Sequence, residues 1–145
     1  MPQFMKTLNN ISRCQAIYRK NNLSTNDLCP NHYAFVLSIC RFPGHPQDEL
    51  AKNLCLDKST VARALSYLEK NGYIIRIPNE KDKRQTIVYP SEKMLSIYPL
   101  IRTINKDWNN LVTEGISPEK LSIFHEVLSQ IEVNAKRMIE MEELS

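Results

Sequence analysis

The chain has 145 residues, of which 42% are hydrophobic and 24% charged, and a net charge of +3, the balance of one ordinary globular domain. Its longest apolar runs are a few residues, as at 34–37, far short of the ~20 that span a bilayer. The start, MPQFMKTLNNISR, lacks the basic, apolar and small-residue order of an export signal, so a cytoplasmic location without a membrane partner is expected.

Phe4, Leu8, Ile11 and Tyr18 recur at helical intervals, with Lys6, Asn9, Arg13 and Lys20 elsewhere on the wheel. This predicts an amphipathic helix over 4–20, ended by Asn21-Asn22. Residues 23–28 read as a loop, and Pro30 suits the first turn of a second helix whose apolar face is Tyr33, Val36, Leu37 and Cys40. Phe42-Pro43-Gly44 stops that helix. A short helix over 47–53 follows, with Leu50, Ala51 and Leu54 on one side and a turn at Leu56-Asp57. Asp57 is an N-cap for the next helix, 58–70, because its carboxylate can accept from free first-turn N–H groups. Val61, Leu65 and Leu68 form its inward stripe, and Asn71-Gly72 supplies a left-handed stop. Residues 73–78 and 85–89, rich in β-branched and aromatic side chains, predict two strands around a charged hairpin at 79–84. A strand–loop–strand unit directly behind a helix-turn-helix is a winged helix, here spanning 30–90.

Ser91 caps a long helical stretch running to about 114, in which Pro99 is expected to cause a bend. Residues 115–118 are a stop and restart, with Ser117 as N-cap and Pro118 in the first helical position. In the last helix Leu121, Phe124, Leu128, Ile131, Ala135 and Met138 are spaced 3, 4, 3, 4 and 3 residues apart, a heptad seam. This seam could pack within one subunit. An equally narrow stripe at the opposite end of the chain favours a second copy. The expected homodimer uses helices over 4–20 and 91–142, with Phe4, Leu8, Ile11, Leu121, Phe124, Leu128, Ile131 and Met138 at the interface. The fold class is thus mainly α with a small β-hairpin wing, a single domain over 1–145.

Charge is unevenly spread. Residues 52–93 carry nine Lys/Arg against five acids, and 118–145 carry three against six, so one end suits a polyanion and the other does not. His32, His45 and His125 are scattered, no glycine-rich phosphate loop occurs, and no nucleophile–base set can be read, which argues against an enzyme. Cys14, Cys29, Cys40 and Cys55 form no CxxC pair and no metal-ligand spacing, so neither metal nor cofactor is expected and most of these thiols should pack as small apolar groups.

The segments QDELAKNL, DKSTVARALSYLEKNGYI and NEKDKRQTIVYPSEK, in this order, resemble the multiple-antibiotic-resistance regulator (MarR) family of winged-helix repressors, and the flanking helices extend the resemblance over nearly the whole chain. With Val61, Leu65 and Leu68 turned inward, Lys58, Ser59, Thr60, Ala62 and Arg63 are left to face a DNA major groove, Arg63 being the candidate for a guanine contact. The resemblance implies that Arg84 enters the minor groove and that Asp82 holds it; Arg76 could join the pair from the first strand. Lys81 and Lys83 would attract phosphate, and Gln47 could contact a phosphate at the start of its helix. A homodimer on double-stranded DNA would then read two half-sites about one helical turn apart.

The resemblance also implies a small lipophilic or phenolic effector bound between the dimer helices and the winged helix. Tyr18, His32, Tyr33, Trp108 and the methionines could line such a cleft, with ordinary packing as the alternative. One branch of the family senses peroxides through a first-helix cysteine, and Cys14, four residues before Tyr18, resembles it; Cys29 falls at a helix N-cap, where the dipole favours thiolate. A redox-sensing regulator of the same fold and a winged helix used only for protein contacts are the alternatives. The basic recognition helix and Arg84 argue against the second, since protein interfaces favour aromatic and apolar anchors.

Overall fold

The computed structural model describes residues 3–23, 25 and 27–144. Two units follow one another along the chain, Met1–Trp108 and Asn109–Ser145. Among the described residues no helix is long and apolar enough to cross a membrane.

The first unit opens with α1, Phe4–Asn22, two residues longer than expected. Part of the predicted 23–28 loop, Ser24 and Asn26, lies outside the described residues. A 3₁₀ turn, Pro30–His32, leads into α2, Tyr33–Arg41. The turn is closed by the imidazole of His32, whose Nδ1 accepts from the Cys29 N–H at 3.0 Å. Burial on α2 departs from the expected stripe. Tyr33 and Val36 are buried as foreseen, but Phe35 and Ile39 join them, while Leu37 and Cys40 stay half-buried. This helix is covered over a wide arc, so a single-stripe reading undercounts its contacts.

Helices α3, Gln47–Leu54, and α4, Lys58–Lys70, form the helix-turn-helix. Between them Cys55 takes a left-handed conformation (φ 56°, ψ 38°), and its N–H closes on the Lys52 carbonyl at 3.2 Å. Val61, Leu65 and Leu68 are fully buried, as their spacing requires, and Gly72 (φ 79°) ends α4.

Strands β2, Ile74–Pro78, and β3, Thr86–Pro90, pair antiparallel with Arg76 opposite Val88. A two-residue strand, β1 at His45–Pro46, adds to the other edge of β3, giving the order β1-β3-β2. It was not expected, because two residues, one of them proline, carry no periodicity. Gly44 (φ 86°) makes the turn into it and donates its N–H to the Val88 carbonyl at 2.9 Å. Helix α5, Glu92–Val112, starts at the Ser91 cap, whose Oγ accepts from the Met94 N–H at 3.3 Å. Pro99 lies inside α5 without ending it. The core of this unit joins Tyr33, Val36, Val61, Leu65, Tyr73 and Met94, with Ile101 and Ile104 of α5 closing it.

The second unit carries the end of α5 and all of α6, Pro118–Glu143. Ser117 caps α6 by accepting from the Lys120 N–H at 3.3 Å, with Pro118 in the first turn as expected. None of its residues is buried. Of the predicted seam, Phe124 and Met138 are exposed, and Leu121, Leu128 and Ile131 are half-buried.

Candidate nucleic-acid interface

The first turn of α4 is organised by one carboxylate. Asp57 Oδ1 accepts from the Thr60 N–H at 2.7 Å and the Ser59 hydroxyl at 2.8 Å, and Oδ2 accepts from the Thr60 hydroxyl at 2.9 Å. These donors, the Thr60 N–H first, hold the Asp57 carboxyl down at about 2. The hydroxyl hydrogens of Ser59 and Thr60 therefore point at Asp57, and what both present outward is lone pairs. Arg63 uses one of them, donating from Nη2 to Thr60 Oγ1 at 3.4 Å, and otherwise extends into solvent. Lys58 and Ser59 are exposed, while Thr60 and Ala62 are half-buried.

The wing loop is braced by its own side chains. Asn79 receives the Lys81 N–H on Oδ1 at 3.0 Å and donates from Nδ2 to Gln85 Oε1 at 2.9 Å. Asp82 Oδ1 accepts both the backbone N–H and the Nε of Arg84, each at 3.1 Å. The expected Asp82–Arg84 pair is thus formed, and it holds aloft a guanidinium whose side chain is 91% exposed. Lys81 and Lys83 are exposed on either side of Asp82.

Arg76 does not join that pair. Alternation along β2 turns it to the same face as buried Ile74, and there it binds Glu69 of α4 through Nε (3.2 Å) and Nη2 (3.0 Å). Further donors reach Ser66 Oγ at 3.4 Å and Gln47 Oε1 at 3.5 Å. The Gln47 side chain is therefore engaged with Arg76. Glu69 and Ser66 were missed from sequence. The signal that could have found them is a lone charge at an inward strand position, which needs a charged or polar partner on the packed helix.

A cavity of about 570 Å³ lies within the first unit, between α1 (Gln15, Arg19), the Asn31–His32 turn, and the α3–α4 corner (Leu54, Leu56). Arg19 is half-buried, and burial lowers its pKa; its Nε donates to Asn105 Oδ1 at 3.1 Å. His32 stacks on Tyr67 of α4 with centroids 4.8 Å apart, and burial pushes its pKa down. Of the expected lining residues, His32 alone is among those that border the cavity, and none of the described methionines does. Tyr33 is core, donating to the Arg19 carbonyl at 3.1 Å, and Tyr18 packs on Trp108 at 5.4 Å.

The expectation that most cysteines pack as apolar groups is corrected. Cys14, Cys29 and Cys55 are exposed, and only Cys40 is half-buried, its thiol pushed up to about 11 by burial. Cys14 lies on α1 and Cys29 at the cap of the 3₁₀ turn, neither of which has a buried residue, and Cys55 occupies the helix-turn-helix corner.

Comparison with known proteins agrees with this geometry. A family model described as the MarR family matches residues 28–86, the helix-turn-helix and most of the wing. The uncharacterized HTH-type transcriptional regulator YybA of Bacillus subtilis is 30% identical over 111 residues, covering 77% of this chain and 74% of YybA. A SlyA-like transcription regulator from Listeria monocytogenes superposes with a TM-score of 0.89 at 26% identity, over 94% of this chain and 91% of that one. A MarR family transcriptional regulator from Listeria monocytogenes, solved in complex with a 26mer DNA, superposes with a TM-score of 0.83 at 25% identity, again over 94% and 91%. The chain belongs to the MarR family of winged helix-turn-helix transcriptional regulators.

Proposed function

We propose that this chain is a cytoplasmic, sequence-specific DNA-binding regulator that occupies a two-fold operator as a homodimer and represses by occluding the promoter. The observation that carries the reading is the wing tip, where Asp82 holds an almost fully exposed Arg84 guanidinium behind a recognition helix with an exposed first turn. Lys58, Ser59, Thr60, Ala62 and Arg63 read the major groove, Arg84 reads minor-groove width, and Lys81 and Lys83 meet phosphates. The DNA complex of the Listeria relative supports the same use of this fold. Phe4, Leu8 and Ile11 of α1, and the α6 seam of Leu121, Phe124, Leu128, Ile131 and Met138, form the dimer interface. The cavity beside Arg19 and His32 receives the small lipophilic or phenolic effector, which weakens DNA binding by its greater affinity for a form with misplaced recognition helices.

Selection from random-sequence duplexes, followed by salt titration on the winning site, tests this reading. A palindrome with half-sites about one helical turn apart and a steep loss of affinity with salt is expected. Sequence-blind binding would overturn it.

A further inference from the structure

Arg76 is the only charged residue of β2, and its side chain is 21% exposed. It takes Glu69 in a two-point grip and adds Ser66 of the same helix and Gln47 at the first position of α3. Three elements therefore meet on one guanidinium: the first wing strand, the recognition helix and the helix before it. Little of its donor capacity remains for another partner. A phosphate approaching Arg76 would also meet the Glu69 carboxylate, which the Arg76 hydrogen bond holds below its usual pKa range and so keeps charged.

We infer that Arg76 is a positioning residue for DNA reading and not a DNA contact: through Glu69, Ser66 and Gln47 it fixes the angle between the recognition helix and the wing. The inference rests on the DNA-reading function proposed above. With the angle fixed, the α4 first turn and Arg84 reach adjacent grooves together. With it loosened, either can still meet phosphates, but not both in register.

The test uses the full chain with Arg76→Ala, Glu69→Ala, and the exchanged pair Arg76→Glu with Glu69→Arg. Each is titrated over salt against the selected operator and a random duplex, with the melting temperature recorded. Each single substitution should lower operator affinity about tenfold, the scale of a lost charged hydrogen bond. Random-duplex affinity should not fall, and the exchanged pair should recover most of the operator preference. A direct phosphate contact would instead lower both affinities alike on Arg76→Ala and flatten the salt slope by about one per protomer, and Glu69→Ala would tighten binding. That result would overturn the inference. So would a lowered melting temperature with the operator-to-random ratio intact, which would leave the grip a stability element alone. A wild-type protein that does not distinguish operator from random duplex would overturn the DNA reading itself, and this inference with it.

Discussion

Lys93 sets its ammonium 2.7 Å from the Asp27 carboxylate, joining the segment before α2 to the first turn of α5 across 66 residues of sequence. The same ammonium donates to the Asn71 carbonyl at 2.8 Å and lies 4.3 Å from the centre of the Tyr73 ring. Tyr73, itself 1% exposed, donates its hydroxyl to the other Asp27 oxygen at 2.5 Å. Asp27→Ala would remove the acceptor of that hydroxyl and the ion-pair partner of the ammonium, and a loss of about 1–2 kcal/mol at neutral pH is expected, discounted because Asp27 is a third exposed. Lys93 first and Tyr73 second hold the Asp27 carboxyl below its ordinary pKa. Such a group stabilises the fold above its unfolded value of about 4, and the contribution is lost as pH falls through the lower folded value. Urea unfolding at pH 7 and again in acid checks this, since the gap between wild type and variant should shrink only below about pH 4. A gap that stays constant with pH would rule out the carboxylate as its source.

Legibility tracked how local each feature is. The Asp57 and Ser117 caps, the Gly72 stop and the Val61–Leu65–Leu68 stripe depend on residues within a turn or two of one another, and each stands where sequence put it. So does the Asp82–Arg84 pair, two residues apart. What escaped depends on contacts between distant segments. Nothing near Asp27 announces Lys93, and nothing near Arg76 announces Gln47, 29 residues earlier. Phe35 and Ile39 fall outside the single apolar face read for this helix, whereas α2 buries residues on more than one. From its charge and its place on the first strand, Arg76 could have joined the Asp82–Arg84 pair. Its position on the inner face of β2 outweighs that charge, because an inward guanidinium must be paired.

The Asp57 cap makes a second pH test. Asp57→Ala should fray the start of α4, read as faster exchange of the Thr60 amide and weaker operator binding, while Asp57→Ser should restore much of both. The Asp57 carboxyl is also depressed, to about 2, so its contribution is present above the unfolded value and fades only as pH falls towards 2. Wild type and Asp57→Ala should therefore still differ at pH 3. Equal Thr60 exchange at neutral pH would show that the cap contributes nothing.

Cys55 is the one non-glycine residue with positive φ among the described residues, and it stands at the corner of the helix-turn-helix. A side chain there costs about 1–2 kcal/mol in backbone strain, part of which glycine would return in unfolded-state entropy. Cys55→Gly should therefore raise stability by about 0.5 kcal/mol, and Cys55→Val should lower it. The denaturant midpoint decides. A loss on Cys55→Gly would mean that the exposed thiol contributes contacts outweighing the strain.

The α6 seam predicts the oligomeric state. Phe124 is 48% exposed on a helix with no buried residue, so Phe124→Glu should leave the chain folded while placing a charge in the proposed interface. Sedimentation should show a dimer for wild type and a shift to monomer at micromolar concentration for the variant, with helical content unchanged. A variant that sediments as wild type would remove Phe124 from the interface.

Arg84 offers the cleanest separation of recognition from folding. Its side chain is 91% exposed and its one charged partner is Asp82, two residues away, so Arg84→Ala should leave stability within about 0.5 kcal/mol of wild type. Operator affinity should nonetheless fall about tenfold or more, and the salt slope should drop by about one for each protomer, as one cation per wing leaves the DNA. The loss should be greatest on operators with A-tracts flanking the half-sites, where a narrow minor groove concentrates negative potential. Asp82→Ala keeps the cation but frees it, since the carboxylate accepts from both the Arg84 backbone and its Nε. Its effect should be smaller than that of Arg84→Ala and should spare the salt slope. If Asp82→Ala proved the more damaging of the two, Asp82 would be shaping the whole loop and Arg84 would not be the reader. If neither changed operator affinity, the wing would lie off the DNA.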